Sequence, residues 1–166
     1  MRLLIQTKII NRSNSTIPIS DGWHFYFDLG VKADELELQL DVSENIEFDQ
    51  RNVPNGNSTA FIDFVTPTKI GNRQLDCCFG VNAGNRVVTH LKCEKMNLNL
   101  KILQDAGLNK YNYIVVYIPP DRRSIAIEPL TSNINSFNNR EGLIILQPDE
   151  EFVASIGIIP GTMEFN

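Results

Sequence analysis

A chain of 166 residues and 18.8 kDa fits one domain and is long enough to bury a sizeable core. Fifteen basic against twenty acidic residues give a net charge of −5 with no basic run, which argues against a nucleic-acid partner. No apolar run approaches membrane-spanning length, and the opening Met1-Arg2-Leu3-Leu4-Ile5-Gln6-Thr7-Lys8 turns polar too early for a signal peptide, so no membrane partner is expected either.

The apolar pattern has period two. Strands are expected over 3–10 and 22–28, then at Leu36, Leu38 and Leu40, which alternate with Glu37, Gln39 and Asp41. Further strands follow over 60–65, 86–93, at Leu98, Leu100 and Ile102, and over 113–118, 124–128, 143–147 and 151–158. Clusters of Asn, Gly, Pro and Asp separate them. Val53-Pro54-Asn55-Gly56-Asn57-Ser58 reads as a turn, because proline presets one backbone angle and Asn-Gly tolerates the left-handed region. Residues 131–139 form an Asn- and Ser-rich loop, and neither a long amphipathic helix, an internal repeat nor a linker is visible. Many short strands in one chain predict an all-β fold, an antiparallel β-sandwich over residues 1–166.

Cys77, Cys78 and Cys93 are odd in number and lack the paired spacing of a zinc site, so they read as reduced thiols of a cytoplasmic protein, most simply as small buried hydrophobes.

Alternation along residues 23–28 puts Trp23, Phe25 and Phe27 on one face and His24, Tyr26 and Asp28 on the other. The aromatic face is core. The usual explanation for His24 is a structural histidine satisfied by hydrogen bonds, and for Tyr26 it is core packing, with a sugar-stacking ring as the alternative. Glu128 ends the apolar run Ile125-Ala126-Ile127, where partial burial raises a carboxylate's pKa toward the range of a general base; a rim carboxylate in water is the plainer alternative. Asp76, in Leu75-Asp76-Cys77-Cys78-Phe79, either accepts hydrogen bonds from ligand hydroxyls or caps a turn. His90 shares its side with Arg86, Lys92 and Glu94, a solvated face, and receives no role. The phosphate-loop, zincin and nucleophile-elbow motifs do not occur.

These segments together resemble the aldose 1-epimerase (galactose mutarotase) family. The likeness is carried by Gly22-Trp23-His24-Phe25-Tyr26-Phe27, by Leu75-Asp76 with Phe79, and most specifically by Ile127-Glu128-Pro129-Leu130-Thr131, Asn135-Ser136-Phe137-Asn138 and Glu141-Gly142-Leu143-Ile144-Ile145-Leu146-Gln147-Pro148. Ile9-Ile10-Asn11-Arg12-Ser13 and Ile17-Pro18-Ile19-Ser20 resemble the strand and turn before the family's histidine.

The resemblance implies a galactose mutarotase-like supersandwich, with His24 as general acid, Glu128 as general base and Asp76 as a carboxylate that binds sugar hydroxyls. It implies interconversion of the α and β anomers of a free aldohexose by acid-base ring opening, without metal or organic cofactor. Family members are longer, and the likeness spans their carboxy-terminal half. The amino-terminal half supplies an arginine and a second histidine that no position here matches. A partner chain or self-association through exposed sheet edges is therefore expected. Two other readings stand beside this one: a carbohydrate-binding or interaction module without turnover, and a glycoside hydrolase using Asp76 and Glu128 as its carboxylate pair.

Overall fold

The computed structural model describes residues 2–163, so the ends of the expected 1–166 domain lie outside the described residues. In chain order the strands are β1 (Leu3–Ile10), β2 (Ile17–Ile19), β3 (Phe25–Phe27), β4 (Glu37–Gln39), β5 (Val42–Phe48), β6 (Pro54–Ala60) and β7 (Thr68–Lys69). They continue with β8 (Asp76–Val81), β9 (Arg86–Cys93), β10 (Leu98–Asp105), β11 (Tyr113–Tyr117) and β12 (Ile125–Leu130). A one-turn helix, α1 (Ser136–Asn139), precedes β13 (Ile144–Leu146) and β14 (Glu151–Thr162).

Two six-stranded sheets form, in the orders β1-β14-β10-β9-β4-β7 and β3-β12-β11-β8-β5-β6, with β13 and β2 as a small ribbon beside them. Every pairing is antiparallel. The expected all-β sandwich is therefore observed. Leu36, Leu38 and Leu40 are buried where alternation placed them, in one apolar cluster with Leu91, Ile102, Ile114, Ile125, Ile127 and Phe79. Each such side chain contributes about 1.5–3 kcal/mol of hydrophobic stabilisation.

Three expectations need correction. The segment 53–58 is not a turn, because Pro54–Ala60 is the outer strand of the second sheet, and no strand forms over 61–65. An edge strand tolerates this composition: proline occupies the first position, the polar residues face water, and Gly56 takes φ +87 where the register slips opposite Ile46 and Phe48. The apolar residues that suggested a strand act as anchors instead. Phe64 is buried and the Phe61 ring lies 4.5 Å from that of Phe79, while Ile62 points to solvent. The expected strand over 22–28 shortens to three residues, with Gly22 joined to Leu130 by an isolated bridge. A Cβ on Gly22 would press on Leu130 Cδ2, so any side chain there would have to displace the leucine methyl.

Candidate active site

Register decides which side chains share a face. Phe25 pairs with Ile127, which sets His24 level with Glu128; across the sheet Glu128 pairs with Val115 and Val115 with Cys78. The next row is Tyr26, Ala126, Tyr117 and Asp76. Phe25, Phe27, Ile125, Ile127, Val116 and Phe79 belong to the opposite, core-forming face. His24, Glu128 and Asp76 thus lie on the one face that the sandwich core does not use.

Their relations differ. His24 Nε2 is 3.1 Å from Glu128 Oε1, with side-chain exposures of 55% and 12%. The base candidate is therefore sunk in the sheet while the imidazole reaches it from the edge strand. Burial lifts the Glu128 pKa above the ordinary carboxylate range; the attraction of His24 opposes that rise and the charge of Asp76 adds to it. Asp76 shares the face but not the contact: β11 stands between, and two strand spacings put the α-carbons of Asp76 and Glu128 about 10 Å apart sideways. Asp76 opens β8 as an exposed residue and lines a shallow cleft with Cys78, Val115 and Ile134.

A polar network ties down the segment leading to His24. The Trp23 amide donates to Pro129 O at 3.1 Å, the Thr131 amide to Asp21 O at 2.9 Å, and the Asp21 amide to Thr131 Oγ1 at 2.9 Å. Buried Tyr111 donates its hydroxyl to Asp21 Oδ2 at 2.6 Å, and Trp23 Nε1 donates to Thr7 Oγ1 at 3.2 Å. Beyond β12 the chain folds back over the same sheet face. Cys78 Sγ lies 3.7 Å from Asn133 Oδ1, Asn133 Nδ2 donates to Glu141, and Gly142 turns with φ +69 against the Tyr113 ring.

Several other expectations are settled by position. Glu128 is buried, not a rim carboxylate, and Asp76 sits within a strand instead of capping a turn. Tyr26 is 53% exposed and is not core packing; its ring stacks on His24 with centroids 4.8 Å apart and planes 22° from parallel. That contact was missed because alternation identifies the face of a residue but not which rings lean together. Trp23 belongs to the aromatic side as expected, stacked on Phe25 at 5.8 Å, yet its outer part is exposed. His90 lies in the other sheet with Nδ1 3.2 Å from Asn99 Oδ1. All three cysteines are free thiols, with Cys78 and Cys93 buried and Cys77 partly so. No helix among the described residues is long and apolar enough to cross a membrane. The groove on the outer face of the first sheet, lined by Arg2, Leu4, Arg86, Leu103 and Asp105, offers the Arg86–Asp105 ion pair at 3.1 Å but no histidine–carboxylate pair.

The two-sheet fold and this face agree with what the chain matches. Its residues 2–158 match the family model described as aldose 1-epimerase, and the chain belongs to that family. Among solved structures, it is similar to a galactose mutarotase-like protein from Clostridium acetobutylicum (20% identity, TM-score 0.82, covering 96% of this chain and 52% of that one). It is similar also to an aldose epimerase homologue from C. elegans (16% identity, TM-score 0.82, covering 98% and 57%). A third is galactose 1-epimerase from Lactobacillus acidophilus NCFM (19% identity, TM-score 0.78, covering 98% and 54%). At these identities the likeness shows the fold, and the chain spans little more than half the length of these relatives. No curated protein sequence matches it.

Proposed function

We propose that this chain acts on the anomeric centre of a free aldohexose, with Glu128 as general base and His24 as general acid. The observation that carries the reading is the 3.1 Å contact between a buried carboxylate and an imidazole. Ring opening of an aldose needs two proton transfers at oxygens bonded to one carbon, and an acid just before β3 beside a base on β12 match that demand. A hydrolase pair of Asp76 and Glu128 would leave the imidazole idle and has β11 between its members.

The productive state has Glu128 ionised and His24 protonated. Glu128 takes the proton from the anomeric hydroxyl as His24 gives one to the ring oxygen; the C1–O5 bond breaks and C1=O1 forms. Rotation about C1–C2 presents the other face of the aldehyde. On reclosure the C5 hydroxyl attacks C1 and returns its proton to His24, while Glu128 returns the other to O1. Both groups end as they began, and no redox change occurs. Asp76, on the neighbouring row, accepts hydrogen bonds from sugar hydroxyls.

In this reading the chain corresponds to the carboxy-terminal half of its longer relatives, works in the cytoplasm, and completes its site with a partner chain or a second copy. Edge strand β1, with exposed Leu3 and Leu4, is the surface that supports association. Sedimentation of a strictly monomeric species would count against it. The exposure of His24 just before an edge strand favours one second reading, a sugar-binding module whose acid lacks enclosure.

The deciding experiment is the rate at which freshly dissolved α-glucose or α-galactose reaches anomeric equilibrium, followed by polarimetry with the purified chain. Acceleration supports the isomerase. Sugar binding without acceleration points to the module or to a missing partner chain, and neither binding nor acceleration would leave both readings without support.

A further inference from the structure

Two features of His24 set the problem. It precedes an edge strand only three residues long, so no strand flanks it on the outer side, and more than half of its side chain is in water. Nε2 faces Glu128, while among the described residues Nδ1 has no hydrogen-bond partner. One ion-pair contact does not hold an imidazole in a single orientation, because rotation about χ1 and χ2 remains open.

The second restraint is Tyr26. Residues two apart on one strand face are separated by about 7 Å at Cα, yet these rings stand 4.8 Å apart and nearly parallel, so the side chains lean together. The neighbour of Tyr26 across the sheet is Ala126, whose small side chain leaves the phenol room to lie beside the imidazole. Tyr26 spends half its surface on solvent and is not part of the core cluster, and its ring stacks on His24.

We infer that Tyr26 is a positioning residue, which holds the His24 imidazole in the orientation that aims Nε2 at Glu128. It acts through the ring and not through the hydroxyl. The inference rests on the reading of His24 as the acid only for its consequence in catalysis. The stack itself restricts the imidazole whether or not the protein turns over.

The experiment compares Tyr26→Phe and Tyr26→Leu with the parent protein. Side-chain ¹³C relaxation of the His24 ring is measured without sugar. The chain contains only two histidines, so His90→Gln assigns the signal by elimination. Backbone amide spectra establish that each variant keeps the fold, as expected for an exposed position. The expected result is a lower order parameter for the imidazole in the leucine variant and a parent-like value in the phenylalanine variant.

If the isomerase reading holds, the leucine variant also loses about three- to sixfold in kcat at nearly constant KM. That is the population lost when three χ1 wells and a twofold χ2 become accessible. Phenylalanine restores it. An unchanged His24 order parameter in the leucine variant overturns the proposal, and so does a phenylalanine variant as disordered as the leucine one. A parent protein that does not turn over, together with the expected relaxation result, removes the reading of a self-sufficient isomerase but upholds the positioning role.

Discussion

Replacing Glu128 by glutamine separates the chemistry of the site from its structural cost. The amide has the shape of the carboxyl group and still presents an oxygen to His24 Nε2, so the 3.1 Å contact survives. What disappears is the ability to take a proton. General-base assistance contributes about 10²- to 10⁴-fold, equivalent to about 3–5 kcal/mol of barrier, and the variant is expected to lose that much of any acceleration seen by polarimetry. Stability moves the other way. Burial raises the Glu128 pKa, so the folded state holds its proton more tightly than the unfolded state does. The stabilisation from this group is fully present below the ordinary carboxyl value of 4.5 and is lost as pH rises through the lifted folded-state value. Above that range an ionised Glu128 weighs against the fold, and glutamine does not. Thermal unfolding at neutral pH should therefore find the variant at least as stable as the parent, with the difference closing on acidification. An equally active variant that melts below the parent at neutral pH would refute both halves of the reasoning.

Three further outcomes are expected. Tyr111→Phe removes the hydroxyl that donates to Asp21 at 2.6 Å and should cost about 1.5 kcal/mol in urea unfolding; an unchanged midpoint would mean that the network does not anchor the segment before His24. Gly142→Ala places a methyl group 2.8 Å from the Tyr113 ring and 3.0 Å from Thr131 O at φ +69, with an expected loss of about 1–3 kcal/mol, which an unaltered melting temperature would contradict. Burial pushes the Cys78 thiol up to about 12, so it should resist a disulfide reagent in the native protein and react after unfolding; rapid native labelling at Cys78 would show that the loop over it opens.

Much of this molecule was legible before its structure, and for identifiable reasons. Leu36, Leu38 and Leu40 repeat with the period of a pleated strand, and burial follows from that period alone. The face shared by His24, Tyr26 and Asp28 was likewise implied by alternation. The contact between His24 and Glu128 was not, since more than a hundred residues separate them and only the pairing of β3 with β12 brings them level. Family resemblance anticipated their association, and periodicity could not. The error at Pro54–Ala60 has the opposite cause. Of the Asn55-Gly56 pair read as a turn, only Gly56 takes a positive φ, and it does so inside an edge strand, which admits it because only one side of its ladder needs partners.

The three-residue length of β3 carries a consequence for how this face can change over time. A slip of one residue against β12 would carry the imidazole through the sheet into the aromatic layer and bring Phe25 out to face Glu128. Register is protected by the bridge of Gly22 to Leu130, the amide of Trp23 on Pro129, and the paired bonds between Asp21 and Thr131, one of them to the Thr131 hydroxyl. Of the loops that border the cleft, only the first residue of 131–139 takes part in them. Those loops can be remodelled while the histidine and the carboxylate keep their alignment, so in the proposed isomerase ligand selectivity and proton transfer would reside on parts of the chain that can vary independently.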